Sequence, residues 1–180
     1  PRTACAPATA PAATQPKQPV AAAKSSASSV KPVMATPQST TETYGDWILI
    51  CSSTPAGQIC EVDTTLSLRG QAEAVARIAF GQPAKGKPLR LVVQTPANIL
   101  IPPGVKLDIE PDKKSVALAY RSCVPGGCFA ESDLSPEQDQ FFRGRTEPGQ
   151  LVFTSASGQA VALPVSFRGL EPALDALGHK

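Results

Sequence analysis

The sequence predicts a mostly β chain: an antiparallel β-sandwich with two short helices, one of them at the C-terminus. Three observations lead there. Beyond residue 42, apolar side chains recur with a period of two. Gly- and Pro-bearing turns cut that pattern into about nine short runs. Four of the five cysteines fall in two close couples, Cys51 with Cys60 and Cys123 with Cys128, each across a turn-forming stretch.

Residues 1–42 stand apart. They hold seven prolines and eleven alanines, and Val20, Val30, Val33 and Met34 are their only larger aliphatic side chains. So little apolar surface does not offset the entropy of ordering, so the segment reads as a disordered tail or linker, with the folded domain at 43–178. Arg2, Lys17, Lys24 and Lys31 against Glu42 give the tail 4 − 1 = +3, and the rest is 13 − 14 = −1, restoring the total of +2. The domain has no basic excess, which argues against nucleic acid as a partner. The tail suits weak electrostatic contact with anionic surfaces. No run reaches the ~18–20 apolar residues of a membrane span. The chain starts at Pro1, which fits a secretory signal upstream. Ala6-Pro7-Ala8 has the small-x-small pattern of a cleavage site, although an Ala-rich stretch also produces that pattern by composition.

The first strand-like run is Tyr44–Cys51. Cys60, Val62, Thr64, Leu66 and Leu68 then alternate with Glu61, Asp63, Thr65, Ser67 and Arg69. Ala72–Phe80 and Leu89–Thr95 follow. Val105, Leu107 and Ile109 alternate with Lys106, Asp108 and Glu110, and Val116, Leu118 and Tyr120 with Ala117 and Ala119. Gly127–Glu131, Leu151–Ser155 and the alternating Ala160–Phe167 complete the set. One buried face per strand accounts for this pattern. The first helix starts at Ser135 as N-cap, with Pro136 at the first helical position and Gln138 closing a capping box, and it ends at Arg143-Gly144. The second runs from Leu170 to Leu177, with Leu170, Leu174 and Leu177 on one face to cover an open end of the sandwich.

Four domain cysteines allow three pairings. Turn chemistry favours the local one. Ser52-Ser53-Thr54-Pro55-Ala56-Gly57-Gln58 and Val124-Pro125-Gly126-Gly127 would each bring their flanking cysteines face to face in a hairpin. Zinc binding and a redox-active Cys123/Cys128 pair are the competing readings. Zinc is disfavoured by the spacings and by the lack of a nearby histidine, redox activity by the lack of a CxxC motif leading a helix. Structural disulfides imply an oxidising compartment, hence a periplasmic or secreted protein. Cys5, alone in the tail, is left with three fates: removal, a free thiol or pairing between chains. Its context lacks the apolar residue of a lipid-modified N-terminus.

Common catalytic constellations are absent from the sequence. His179 is the only histidine, one residue from the end, and no phosphate-cradling glycine motif occurs. No cofactor or metal is called for. Asp108 and Glu110 share a strand face and could act as a glycosidase pair, but read more simply as the solvated face opposite Val105, Leu107 and Ile109. Glu131 and Asp133 read as loop surface, and Trp47, which could serve as a ligand platform, reads more simply as a core anchor. The apolar loop Pro96–Gly104 is either a buried crossing between sheets or an exposed partner site.

Tyr44-Gly45-Asp46-Trp47 followed by Cys51 and Cys60 resembles the opening of the bacterial invasion-associated locus B family. So do Pro96 to Gly104 leading into Val105-Lys106-Leu107, Cys123-Val124-Pro125-Gly126-Gly127-Cys128, and the closing Ser166-Phe167-Arg168-Gly169-Leu170 before Ala173-Leu174. The resemblance covers roughly residues 42–177. It implies an exported protein with an immunoglobulin-like β-sandwich and no established enzymatic activity. Members tend to carry an aromatic after the closing glycine, where this chain has Leu170; only a core adjustment is expected. The function expected is that of a non-catalytic envelope module binding an envelope or host-surface component, with a contribution to invasion or adhesion. The alternatives are a carboxylate-based glycan hydrolase and a thiol-disulfide helper using Cys123 and Cys128.

Overall fold

The structure, a computed structural model, describes residues 38–84, 86–110 and 114–180. Residues 1–37, with Cys5, the Ala6-Pro7-Ala8 pattern and nearly all of the expected tail, lie outside the described residues. Ten strands and two helices follow in the order β1 (Ser39–Tyr44), β2 (Trp47–Thr54), β3 (Gly57–Ser67), β4 (Ala74–Gly81), β5 (Arg90–Thr95), β6 (Val105–Glu110), β7 (Lys114–Val124), β8 (Gly127–Asp133), α1 (Pro136–Arg143), β9 (Gly149–Thr154), β10 (Ala160–Val165) and α2 (Leu170–Gly178).

All neighbouring strands are antiparallel, in the order β1-β2-β3-β4-β5-β8-β7-β6-β9-β10. One continuous sheet makes both layers because β7 belongs to each. Its first half, Lys114 to Leu118, pairs with β6, and its second half, Ala119 to Val124, pairs with β8. The sheet folds over at that point, and β10 comes to lie against β3. Pro164, which has no N–H to donate, sits in β10 at a sheet edge, where its loss to the ladder is tolerated.

The core joins the two inner faces. Trp47, Leu49, Val62, Ile78, Phe80, Leu91 and Val93 come from one layer and Leu107, Ile109, Leu151, Leu163 and Val165 from the other. An aromatic file crosses it: Trp47 to Phe80 at 5.5 Å between centroids, Phe80 to Phe142 at 5.1 Å, and Phe142 to Phe167 at 6.1 Å. Such pairs add about 0.5–1.5 kcal/mol each beyond their area burial. Trp47 is fully buried and its indole N–H donates to the Ser166 carbonyl at 3.0 Å, so the tryptophan is the core anchor it was read to be. Both helices form where the sequence places them. Around Ser135 both halves of the capping box close, at 3.2 Å and 2.8 Å. Leu170, Ala173, Leu174 and Leu177 of α2 are buried against β1, β2, β3 and α1.

Several expectations need correction. Strand pairing begins at Ser39, inside the segment assigned to the tail, because Ser39–Tyr44 zips along β2. This strand is exposed and polar along nearly its whole length, so no period-of-two signal marks it. The run Tyr44–Cys51 is therefore two elements joined at Gly45-Asp46. Leu68, expected on the buried face, is exposed, since the register shift after Leu66 ends the alternation. Glu131 and Asp133 belong to β8 rather than to a loop.

Candidate functional site

The two ends of the domain meet in a clasp. Asp46 accepts from Arg168 Nη2 at 2.6 Å, from Arg168 Nε at 3.2 Å and from Ser166 Oγ at 2.6 Å, while its own N–H donates to the Arg168 carbonyl at 3.0 Å. The Arg168 guanidinium, then the Ser166 hydroxyl, hold the Asp46 carboxyl below its ordinary pKa. The backbones approach closely enough to require glycine. Gly45 has φ 60 and Gly169 has φ 88, and a Cβ on Gly45 would lie 2.6 Å from the Arg168 carbonyl oxygen. A Cβ on Gly169 would run into the Tyr44 carbonyl. The opening and closing motifs of the sequence are thus one structural joint.

The cysteines pair locally. Cys51 is bonded to Cys60 across the β2–β3 hairpin and Cys123 to Cys128 across the β7–β8 hairpin, each couple directly opposite in register. Pairing in this way overturns the zinc reading of the four thiols. Cys51 and Cys128 are buried and Cys123 is exposed.

On the outer face of the larger layer, arginines lie across carboxylates of neighbouring strands. Arg77 of β4 bonds both Glu61, at 2.6 Å, and Asp63 of β3. Stretched in this way it covers Ala79, which explains why Asp63 and Ala79 are buried on an outer face. Arg90 takes Asp133 at 2.7 Å, and Glu131 stands between Arg90 at 3.9 Å and Arg121 at 3.6 Å. The hydrogen bond from Arg90 lowers the pKa of Asp133. Sequence reasoning missed this network. Its signal, opposite charges at outward positions of several strands, becomes legible only once strand order is known.

Asp108 is paired with Lys106 at 2.8 Å, and the register of β6 against β7 shifts between Asp108 and Glu110. An outer-face groove of about 380 Å³ is lined by Thr65, Ala74, Arg77, Gln94, Pro96 and Gly126, with Arg77 as its one charged group. Another of about 460 Å³ lies between Ile59, Pro83, Leu177 and Lys180, with Lys180 as its one charged group among the described residues. Neither groove joins a nucleophile to a base. His179 caps α2 and is exposed.

The loop Pro96–Gly104 is both things at once. Ile99 is buried and bridges to Ser155, the Leu100 N–H donates to the Thr154 carbonyl at 2.9 Å and the Ala156 N–H to the Asn98 carbonyl at 2.9 Å. Beyond that anchor Leu100 is 41% exposed and Ile101 47%, and Pro102 and Pro103 are exposed beside them. The β7–β8 turn, with Val124 at 49% exposure, leaves from the same end, since Thr95 pairs with Cys128.

Fold and site together define a class: a disulfide-stapled immunoglobulin-like sandwich with clasped ends and an apolar loop held out at one end. The family model described as Invasion associated locus B (IalB) protein matches residues 47–178, and the chain belongs to that family. Two invasion protein B homologs of Brucella abortus, from strain 2308 and from biovar 1 strain 9-941, are each 26% identical over 134 residues, 74% of this chain and 76% of theirs. The crystal structure of invasion associated protein b from Bartonella henselae superposes with a TM-score of 0.66 at 24% identity, covering 77% of this chain and 94% of that one. That likeness bears out the fold class read from the sequence.

Proposed function

We propose that the protein is an exported, non-catalytic interaction module of the bacterial envelope that contributes to host-cell invasion or surface adhesion. Family membership and the names of the Brucella and Bartonella relatives support the link to invasion. Two cross-strand disulfides support an oxidising location, periplasmic or secreted. The observation that carries the reading is the Leu100–Pro103 tip: consecutive apolar residues held in solvent on a loop whose base is pinned by backbone hydrogen bonds. A rigid frame holding out apolar side chains is built to meet a partner. A photoreactive residue at position 101 tests this in intact cells. A specific adduct is expected, together with reduced host-cell entry by a strain carrying Leu100→Ser/Ile101→Ser. No adduct and unchanged entry would overturn it.

A thiol-disulfide role has one observation in its favour, the exposure of Cys123 in the β7–β8 hairpin. Resistance of the Cys123–Cys128 bond to mild reductant would remove it.

A further inference from the structure

The apolar tip has a feature that exposure alone does not supply: its backbone N–H groups are almost all absent or already bonded. Between Leu100 and Gly104, Pro102 and Pro103 have no N–H, the Leu100 N–H donates to Thr154 and the Gly104 N–H donates to the Ile101 carbonyl at 2.8 Å. Four of these five positions therefore present no free N–H. A loop entering a low-dielectric layer normally loses several kcal/mol for each unpaired backbone group, and the N–H share of that penalty is largely removed here. The surroundings are equally suited. Residues 91–105, 122–130 and 149–167 contain no Asp, Glu, Lys or Arg. These segments supply the loop itself, the β7–β8 turn beside it and the β9–β10 turn to which it is bonded. The tip and these two turns carry no charge, and the β3–β4 turn at the same end carries Arg69 and Glu73, whose charges offset one another.

We propose that the Leu100–Pro103 tip enters the interfacial layer of a lipid bilayer and docks the sandwich end-on against the membrane surface. The proposal rests on the loop end being the interaction face and names its partner as lipid. A protein partner is the poorer fit. Protein hot spots favour Trp, Tyr and Arg, with hydrogen bonds around them. This tip offers Leu, Ile and Pro with few donors, which is what a bilayer interface accepts. Because the tip is uncharged and Arg69 and Glu73 at this end offset one another, docking needs no anionic lipid and is insensitive to salt, which separates it from any attraction exerted by the basic tail.

The test is flotation of the full chain with phosphatidylcholine vesicles at low and high salt. Salt-independent binding is expected. Leu100→Asp/Ile101→Asp should lower the vesicle partition coefficient by about a hundredfold, since half-exposed Leu and Ile side chains are each worth on the order of a factor of ten when buried. Leu100→Ser/Ile101→Ser should fall between that variant and wild type. Buried Trp47 fluorescence and the melting temperature report that the variants stay folded. Ile59→Asp, at an exposed apolar residue on the β2–β3 hairpin at the other end of the sheet, should bind like wild type. Any of three results would overturn the proposal: no binding to these vesicles, binding only to anionic vesicles and lost in salt, or equal loss in Ile59→Asp. Failed vesicle binding with a protein adduct from position 101 would leave the interaction reading standing. Failed binding with no adduct of any kind would remove both.

Discussion

Gly169 shows how one residue can hold the domain's two ends together. A side chain there meets the Tyr44 backbone in a left-handed conformation, so neither strain nor clash can relax independently. Gly169→Ala is expected to lower unfolding free energy by at least about 2 kcal/mol in denaturant titrations followed by Trp47 fluorescence. Asp46 acts on the same joint through charge. Its carboxyl titrates below the usual value of 3.8, so its contribution is complete above that pH and is lost as the pH falls through the lowered folded pKa. The clasp therefore persists in mildly acidic surroundings. In an acid titration of stability, Asp46→Asn should flatten the loss at the most acidic end and leave the profile above about pH 5 parallel to wild type.

Among the elements, the two stapled hairpins and the edge strand lend themselves to the clearest tests. Closing loops as short as those of Cys51–Cys60 and Cys123–Cys128 is worth roughly 2–3 kcal/mol each in the chain-entropy model. Replacing either couple by serines should lower stability by about that amount, and calorimetry would show it. Strand β1 covers the flank of β2, whose outward side includes the exposed Ile48. Removing residues 1–37 should leave solution behaviour unchanged, whereas removing 1–44 bares a longer, more apolar edge and should promote association. Size-exclusion chromatography of the two truncations separates strand from tail.

Across the whole molecule, folding one sheet over at β7 makes both layers depend on a shared core, with α1 and α2 packed at its end. The aromatic file from Trp47 through Phe80 and Phe142 to Phe167 links β2, β4, α1 and the segment entering α2. Trp47→Ala should cost about 3–5 kcal/mol and also release the Ser166 carbonyl at the clasp. A single cooperative transition, with far-UV circular dichroism and Phe/Tyr signals coincident, is the expected form of that loss.

Local chemistry was written in the sequence alone. Ser135, Pro136 and Gln138 set a helix start within four residues. Pro and Gly between neighbouring cysteines selected hairpins and so the pairing. Alternation at Val105, Leu107 and Ile109 named the buried face, because each signal depends on neighbours no more than nine positions apart. Only the tertiary structure decided the rest. Strand β1 lacks a buried face, so its side chains carry no period to read. Strand β7 serves two layers, a fact of pairing rather than of pattern. Asp63 is buried on an outer face because Arg77 lies over it, and Asp46 meets Arg168 across 122 residues of chain. The exposure of Leu100 and Ile101 was undecided for the same reason: an apolar run reads alike whether other strands cover it or leave it in solvent, and strand order settles which.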